Sequence, residues 1–361
     1  MKPVTVSLAL LLALLQAGQA LAATPVAADH ASLQYTGRID FSQPAAPVLA
    51  WPNTSIAGRF TGTSLAVKLD DQRGQNYFNV FLDGDLGSPL IIEAKQGEAS
   101  YVVAQGLAPG THAFLVTKRT EGAEGATVFR GLELDDGASL LAPPPRPARR
   151  IEFFGDSITS GAGNEGALNG RDDLGKDKNS FLSYAAIAAR QLGAEAHLTS
   201  QGGIGVMTSW FPFTMPDFYD QLSAVGNNDS QWDFKRWTPQ VVVVNLMQND
   251  SWLIGRDHKL QPEPDDEQRI EAYRAFVERI RKRYPQAWIV CTLGSMDATR
   301  PGSPWPGYVS AAVERMRRQN GDARIDTLFF PFTGYGQHPR VLHHQTNAAK
   351  LAAFIGQKMG W

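Results

Sequence analysis

The stretch Arg150–Gly161 reads RIEFFGDSITSG, and it contains the transition on which the fold depends. Its first half, Arg150–Phe154, has the apolar character of a buried β-strand, and glycine and small polar residues follow at once. Four later segments have the same strand character: Ala196–Ser200, Gln240–Met247, Ala287–Leu293 and Ile325–Phe330. Within the second of these, Val241–Val244 is apolar on both faces, which is typical of a central parallel strand that is covered on each side.

Helical periodicity separates these strands. Apolar side chains recur on one stripe of Glu267–Tyr284 and on another of Val309–Met316, which Asn320-Gly321 ends. A last stripe lies in Thr346–Lys358. Strands that alternate with helices predict an α/β domain, with three α/β/α layers around a parallel sheet. In such sheets the functional residues gather at the carboxyl ends of the strands.

The chain before this region has a different texture. Short segments with a period of two and frequent turn residues predict β-strands around Leu65–Leu69, Phe78–Leu82, Ser100–Val103, Ala113–Lys118 and Thr127–Leu134. They predict an all-β sandwich or jelly-roll domain in residues 30–142. The proline-rich segment 143–147 then forms an extended linker to the α/β domain, which spans residues 148–361.

Residues 1–22 have the features of a cleaved signal peptide. Lys2 supplies the positive charge, and the apolar run Val4–Leu15 is shorter than the ~20 residues that a spanning helix needs. Ala20-Leu21-Ala22 fits the small-x-small pattern of a cleavage site. We therefore expect a secreted or periplasmic protein without a membrane span.

Charge and cysteine content exclude several classes of protein. The 361 residues include 34 Lys+Arg and 36 Asp+Glu, so the chain has no overall basic surface of the kind that binds nucleic acid. A single cysteine, Cys291, excludes an intramolecular disulfide framework and a cysteine-rich zinc site. Because Cys291 lies in an apolar strand, we expect it to be a core residue.

Ser157 stands where the first strand of the α/β domain ends in a sharp turn. A serine hydroxyl at such a turn becomes a nucleophile when a neighbouring base removes its proton. The Gly-x-Ser-x-Gly elbow of the α/β-hydrolases is not matched, since Thr159 replaces the second glycine. The alternative role for Ser157 is to cap the helix that follows.

Two further strand ends carry candidate hydrogen-bond donors. Gln201–Gly205 is rich in glycine, and Asn249 follows the third strand. Together with the backbone N–H of Ser157, a glycine N–H and the Asn249 amide would form an oxyanion hole. The register leaves both Gly203 and Gly205 open. The structural alternatives are a plain turn for the glycines and a helix cap for Asn249.

His338 precedes the last helix and is the candidate general base, because the pKa of histidine suits proton transfer near neutral pH. His343 and His344 compete for this role. A metal site built from these three histidines is a further alternative, but no carboxylate is near them in the sequence. We expect no metal and no cofactor.

Ser, Gly, Asn and His in this order, each after a strand of an α/β domain, resemble the four blocks of the SGNH (GDSL-like) hydrolase superfamily over residues 148–361. With the upstream β domain and its Phe60–Leu65 segment, the chain resembles carbohydrate esterase family 2. The family removes O-acetyl groups from xylan, glucomannan and related sugars without a metal. The resemblance implies that Ser157 is the nucleophile, that His338 is the base, and that Ser157, Gly203 and Asn249 form the oxyanion hole.

Two positions depart from the superfamily pattern. Many members have an aspartate three residues before the histidine, where this chain has Tyr335. The resemblance then implies a Ser–His dyad, in which a backbone carbonyl holds the imidazole of His338. The second departure is Met247, which stands where glycine is usual. The sequence therefore does not decide the geometry of the turn before Asn249.

Aromatic residues near the blocks are candidate platforms for a sugar ring, above all Trp210, Trp252 and Tyr335. The expected substrate is an acetylated plant polysaccharide or its oligosaccharides. Two other interpretations remain open: an exported lipase, thioesterase or arylesterase, and a non-catalytic carbohydrate-binding protein. The sequence does not determine which polysaccharide or hydroxyl position is used, whether the β domain binds sugar, or the oligomeric state.

Overall fold

The computed structural model describes residues 23–361, so the predicted signal peptide lies outside the described residues. The N-terminal domain consists of short β-strands and one 3₁₀ turn, Gly122–Glu124. The strands are β1 (Thr24–Val26), β2 (Gln34–Thr36), β3 (Ile39–Asp40), β4 (Val48–Leu49), β5 (Ser55–Thr61), β6 (Leu65–Asp71), β7 (Tyr77–Leu82), β8 (Leu90–Glu93), β9 (Gly97–Ala104), β10 (Thr111–Lys118), β11 (Thr127–Leu134) and β12 (Leu140–Leu141).

These strands form two antiparallel sheets. One has the order β3-β4-β11-β6-β9, with β1 beside β11, and the other has the order β12-β5-β10-β7-β8, with β2 beside β5. Alternate side chains of both sheets meet in one core, which includes Phe60, Leu65, Val67, Phe78 and Phe129. This burial explains the period-two pattern in the sequence. Because β1 pairs with β11, ordered β structure begins before residue 30, where the domain was predicted to start.

The second domain alternates strands with helices. Its strands are β13 (Arg149–Gly155), β14 (Ala194–Ser200), β15 (Val241–Asn245), β16 (Trp288–Leu293) and β17 (Ile325–Phe329). Its helices are α1 (Ser157–Ser160), α2 (Tyr184–Gln191), α3 (Met215–Phe218), α4 (Gln248–Gly255), α5 (Asp266–Arg283), α6 (Trp305–Asn320) and α7 (Val341–Met359). No helix within residues 23–361 has the length and apolar character needed to cross a bilayer.

The five strands form a parallel sheet in the order β14-β13-β15-β16-β17. Side chains of α2 and α7 pack on one face of the sheet, and those of α5 and α6 pack on the other. The predicted three-layer α/β/α architecture after an all-β domain is therefore confirmed. Cys291 is a buried core residue of β16.

The strand order places a crevice at the end of β13. The two strands that follow β13 in the chain, β14 and β15, lie on opposite sides of it. Connections that leave a strand on opposite sides open a crevice at its carboxyl end, where α/β proteins bind their ligands. Ser157 lies directly at this point.

The two domains share buried contacts. The guanidinium of Arg38, in the β domain, lies 2.7 Å from the carboxylate of Glu152 in β13, and both side chains are buried. Trp51 of the β domain packs against Phe218 and donates from its indole to the carbonyl oxygen of Leu222 at 2.8 Å. The β domain is therefore anchored on the α/β domain by side chains as well as by the linker.

Candidate active site

Ser157 is the first residue of α1, and only Asp156 separates it from the end of β13. The carboxylate of Asp156 caps the helix by accepting the backbone N–H of Ile158 at 2.9 Å. A Cβ atom at Gly155 would lie 2.0 Å from Oγ1 of Thr159. Thr159 therefore fits at this turn because Gly155 has no side chain, which explains how the elbow forms without a second glycine.

The structure brings Ser157 and His338 together. Nε2 of His338 lies 2.7 Å from Oγ of Ser157, and only 8% of Ser157 is exposed. His338 belongs to the loop between β17 and α7, where the hydroxyl of Tyr335 donates to its carbonyl oxygen at 3.1 Å. A hydrogen bond of this length between an imidazole and a serine hydroxyl allows direct proton transfer.

The expectation of a dyad is wrong, because a carboxylate holds the other side of the imidazole. Nδ1 of His338 lies 2.7 Å from Oδ2 of Asp172, and the same oxygen accepts the backbone N–H of His338 at 2.8 Å. Hydrogen bonding from His338 holds the pKa of Asp172 well below its usual range, so the carboxylate is ionised at neutral pH. The arrangement is that of a Ser–His–Asp triad.

Asp172 was missed because it comes from a different loop, the segment 161–180 that follows Ser157. Arg340, two residues after His338, connects this loop to the histidine loop. Its guanidinium donates to the carbonyl oxygens of Ala167 and Gly170, each at 3.0 Å. The only sequence signal for this carboxylate is the pair Asp172-Asp173 in a polar, glycine-containing segment. No periodicity relates that pair to His338.

The glycine-rich stretch after β14 presents one amide that is free to bind an oxyanion. The N–H of Gly205 donates to Oγ of Ser209 at 3.0 Å. Within residues 23–361, the backbone N–H groups of Ser157 and Gly203 have no hydrogen-bond acceptor. Gly203 has a positive φ of 82°, a conformation that glycine adopts without strain. Of the two glycines left open by the sequence, the geometry favours Gly203.

Asn249 lies in the first turn of α4, and its amide is held in one orientation. Nδ2 donates to the carbonyl oxygen of Ile204 at 2.9 Å, and Oδ1 accepts the indole N–H of Trp210 at 3.2 Å. Because an indole N–H can only donate, the atom of Asn249 that faces Trp210 must be the oxygen. The amide nitrogen therefore faces the glycine stretch, and its second hydrogen is available to an oxyanion.

Met247 keeps the turn that a glycine usually makes at this place. Its backbone is left-handed, with a φ of 89°, and its side chain is fully buried. A non-glycine residue in this region carries strain that surrounding structure must offset. The burial of the Met247 side chain provides that compensation, so the departure from the superfamily pattern does not move Asn249.

Two buried carboxylates organise the backbone around these groups. Asp250 accepts the backbone N–H groups of three successive residues, at 2.7–3.1 Å: Val206, Met207 and Thr208. Burial raises the pKa of Asp250. Asp156 accepts the N–H of Ile158, as described above, and burial raises its pKa to about 7.

The candidate sugar platforms differ in their surroundings. Trp210 is 53% exposed and lies beside Asn249, at the edge of an open depression of about 440 Å³. Tyr335 is half-buried beside His338. Trp252 is also half-buried, and its indole donates to the carboxylate of Asp297 at 2.7 Å. A stacking role for the three aromatic residues stays a prediction.

The three histidines that competed for the role of base or metal ligand have separate partners. His343 lies 3.1 Å from the Tyr335 hydroxyl, and His344 is buried and accepts the backbone N–H of Tyr184 at 3.0 Å. No group of three or more histidine, cysteine, aspartate or glutamate side chains in the described part of the chain is placed to hold a metal.

Two known families match the two domains. The GDSL-like Lipase/Acylhydrolase family matches residues 153–353, and the family called Carbohydrate esterase 2 N-terminal matches residues 35–144. The chain thus belongs to the GDSL-like hydrolases and is a serine esterase of that class. More particularly, the combination of both domains makes it a member of carbohydrate esterase family 2, similar to acetyl xylan esterases.

Individual relatives extend over nearly the whole chain. It is 34% identical to the cellulase/esterase CelE of Acetivibrio thermocellus over 350 residues, which cover 92% of this chain but 40% of CelE. It is 28% identical to an acetylxylan esterase / glucomannan deacetylase of Cellvibrio japonicus, covering 96% of this chain and 97% of the relative. A family two carbohydrate esterase from Clostridium thermocellum, solved in complex with cellohexaose, superposes with a TM-score of 0.81 and 33% identity, covering 91% and 99% of the two chains.

Proposed function

We propose that this esterase removes O-acetyl groups from plant polysaccharides such as xylan and glucomannan, or from their oligosaccharides. The observation that carries the proposal is the hydrogen-bonded series Ser157–His338–Asp172. It lies at the carboxyl end of β13, beside the free backbone N–H groups of Ser157 and Gly203. A nucleophile, a base and oxyanion donors at one strand end are the parts that acyl transfer requires.

The proposed reaction has two acyl-transfer steps. Nε2 of His338 takes the proton of Ser157 while Oγ attacks the acetyl carbonyl carbon, and the oxyanion accepts hydrogen bonds from Ser157 N–H, Gly203 N–H and the Asn249 amide. The imidazolium then protonates the departing sugar oxygen, which leaves an acetyl-serine. Water, deprotonated by His338, releases acetate and restores Ser157. Asp172 orients the imidazole and stabilises its charged form.

The relatives support a carbohydrate ester as the substrate. One curated relative is an acetylxylan esterase / glucomannan deacetylase, and the related Clostridium thermocellum structure holds a cellulose oligosaccharide. The depression beside Trp210 is lined by hydroxyl and aromatic groups, among them Thr208, Ser209 and Phe211. Such a mixture suits a sugar, whose ring has apolar faces and a polar rim.

The test compares wild type, Ser157→Ala and His338→Ala on acetylated xylan, acetylated glucomannan and p-nitrophenyl esters of short and long chain. We expect the wild type to release acetate from the polysaccharides and to prefer p-nitrophenyl acetate to the long-chain ester. Both variants should lose activity by about 10³-fold or more. Acetate release that survives Ser157→Ala would contradict the assigned nucleophile.

The same experiment separates the alternative esterases. A lipase or thioesterase needs an apolar groove for its acyl chain and would prefer the long-chain ester. An arylesterase would cleave p-nitrophenyl acetate but release no acetate from either polysaccharide. Either outcome would overturn the polysaccharide substrate while leaving the catalytic residues in place.

We also propose that the protein acts outside the cytoplasm, because residues 1–22 have the pattern of a signal peptide and polymeric substrates do not enter cells. Expression of the full chain in a bacterial host, followed by fractionation and N-terminal sequencing, tests this. We expect an exported protein that begins at Ala23. Full-length protein confined to the cytoplasm would contradict the proposal.

A further inference from the structure

The β domain reaches the oxyanion loop of the other domain through one side chain. Glu121, which follows β10, is 3% exposed, and its Oε2 accepts the backbone N–H of Gly202 at 2.5 Å. The approach is close: a Cβ atom at Gly202 would lie 2.6 Å from Oε1 of Glu121. A larger residue at this position would force the carboxylate away from the loop.

The position of this contact gives it a consequence for catalysis. Gly202 immediately precedes Gly203, whose N–H is the free oxyanion donor. Glu121 holds the peptide unit before Gly202, and the unit that carries the Gly203 N–H is the next one along the chain. The other end of the stretch is tied by Trp210, whose N–H donates to the carbonyl oxygen of Gly203 at 3.0 Å. When the chain is held on both sides of that unit, the directions in which the Gly203 N–H can point are limited.

Glu121 is itself held firmly. Nζ of Lys178 lies 3.3 Å from Oε1 of Glu121 and also contacts Glu124. Although burial opposes it, Glu121 and Glu124 raise the pKa of Lys178, so this lysine stays charged. From the backbone side, the buried Nζ of Lys118 donates to the carbonyl oxygens of Thr120 and Glu121 at 3.0 and 3.1 Å.

The neighbouring Arg119 contacts the loop that carries Asp172. Its guanidinium donates to the carbonyl oxygens of Lys176 at 2.8 Å and Lys178 at 3.1 Å, and its own carbonyl oxygen accepts the N–H of Ser180 at 3.0 Å. Two residues of one β-domain segment, Arg119 and Glu121, therefore brace the two loops that supply the Asp172 carboxylate and the Gly203 donor.

From these contacts we infer that Glu121 is a positioning residue for the oxyanion hole, supplied by the β domain. The inference rests on the esterase mechanism proposed above and adds a role for the β domain in it. Glu121 acts through the Gly202 amide and does not touch the substrate. Its loss should therefore weaken transition-state binding more than substrate binding.

The test measures kcat and KM for p-nitrophenyl acetate with wild type, Glu121→Ala, Glu121→Asp and Glu121→Gln. Alanine removes the acceptor, and aspartate keeps the charge for Lys178 but is one methylene too short to reach the Gly202 amide. We expect kcat to fall about tenfold or more in both variants, with KM changed by less than about threefold. Glutamine retains an acceptor oxygen for the Gly202 amide but gives up the ionic contact with Lys178, so its kcat should fall less than that of Glu121→Ala.

Glu124→Gln is the matched control. Glu124 also contacts Lys178, and it accepts the backbone N–H of Glu121 at 3.2 Å, a bond that the glutamine oxygen can keep; it does not contact the glycine stretch. We expect its kcat to stay within about twofold of wild type. Equal losses in Glu124→Gln and Glu121→Asp would overturn the inference, because the effect would then come from Lys178 and the stability of the interface. An unchanged kcat in Glu121→Asp would overturn it as well.

Affinity for phenylboronic acid gives a readout that needs no turnover, because the boronate adduct of Ser157 places a charged oxygen in the oxyanion hole. Its inhibition or dissociation constant should rise about tenfold in Glu121→Ala and Glu121→Asp and change little in Glu124→Gln. If the wild type cleaves p-nitrophenyl acetate but no acetylated polysaccharide, the proposed substrate is contradicted and this inference still stands. Boronate affinities that are equal in all variants would end the inference alone.

Discussion

At the scale of single residues, the site depends on two short hydrogen bonds to one imidazole. Ser157 and Asp172 lie on opposite sides of His338, each at 2.7 Å from a different ring nitrogen. The carboxylate selects the tautomer in which Nε2 is free to accept the serine proton, and it stabilises the imidazolium that results. The backbone carbonyl expected in this place would give a weaker, uncharged partner.

Replacement of Asp172 tests whether the third member of the triad matters. We expect Asp172→Asn to lower kcat for p-nitrophenyl acetate by about 10²-fold or more, since an amide can donate to Nδ1 and favour the wrong tautomer. Asp173→Asn is the control, because Asp173 is exposed and pairs with Arg171. If Asp172→Asn keeps its kcat within threefold, His338 works as a dyad with Ser157 after all.

The buried carboxylate of Asp156 predicts a dependence of stability on pH. Burial raises its pKa to about 7, helped by the carboxylates of Asp250 and Glu121, and its Oδ2 has no partner among the described residues. A carboxyl group with a raised pKa in the folded state binds more protons when folded. The contribution of Asp156 to stability is therefore greatest below its unfolded pKa of ~3.8 and falls as the pH rises towards 7.

Asp156→Asn should remove this loss, because the amide is isosteric with the protonated acid and can still cap α1. We expect the variant to be more stable than wild type by about 2–4 kcal/mol at pH 8 and equal to it near pH 4. Denaturant unfolding at several pH values provides the comparison. A difference in stability that stays constant from pH 4 to pH 8 would contradict the assignment.

At the scale of elements, the loop between β14 and α3 is the part that turns a strand end into an oxyanion hole. It has no regular structure, yet two outside groups hold its bends: Glu121 holds Gly202, and Asp250 of α4 holds residues 206–208. The loop's own Trp210 in turn holds Asn249 of α4 through its indole N–H. The loop is therefore rigid because the segment after β10 and helix α4 fix it. This explains how glycine-rich backbone can present a defined donor.

Trp210 therefore has a structural task in addition to any contact with sugar. We expect Trp210→Phe to lower kcat for p-nitrophenyl acetate about three- to tenfold, because the Asn249 amide loses the bond that sets its orientation. This substrate has no sugar ring, so a stacking role alone would leave kcat unchanged. The control is Trp288→Phe. Trp288 is the first residue of β16, and its indole N–H donates to the carboxylate of Asp326 in β17, far from Asn249 in the sequence. We expect this variant to change kcat less than twofold.

At the scale of the whole molecule, the two domains behave as one structural unit around the site. The Arg38–Glu152 pair is buried, and Arg38 also donates to the carbonyl oxygens of Tyr219 and Gln221 at 2.6 and 3.0 Å. Glu152 accepts from Thr199 as well. A side chain of the β domain thus completes a polar network inside the α/β domain. The network includes Glu152 of β13, the strand that leads to Ser157.

Removal of one partner of this pair should be costly. We expect Arg38→Met to lower the free energy of unfolding by about 3–5 kcal/mol, because Glu152 would remain buried without its ionic partner. Arg130→Met breaks the more exposed pair with Asp70 and should cost less than about 1 kcal/mol. Chemical denaturation of both variants checks this, and similar midpoints for the two would show that the interdomain pair contributes little.

Most strands and helices of the α/β domain were predictable, because each one produces a local pattern of apolar residues in the sequence. The observed strands β13–β17 lie within one or two residues of the predicted ones, and α5 spans Asp266–Arg283 where a stripe was predicted over Glu267–Tyr284. Side-chain periodicity reports which face of an element is buried, so strands and helices can be inferred without a partner. Ser157, the glycine stretch, Asn249 and His338 were candidates because parallel strands align their carboxyl ends, and the resemblance to the SGNH blocks supplied their roles.

The tertiary structure alone decided the contacts between loops that have no period. Asp172 lies 166 residues from His338 along the chain, and Glu121 lies 81 residues from Gly202 in another domain. Loop residues meet according to how whole elements pack, and a single sequence records only their chemistry. The chain by itself determined its class of fold, and with the family resemblance it indicated Ser157, Asn249 and His338 as site residues while leaving Gly203 and Gly205 open. Folding determined which carboxylate holds the histidine and that the β domain supports the oxyanion loop.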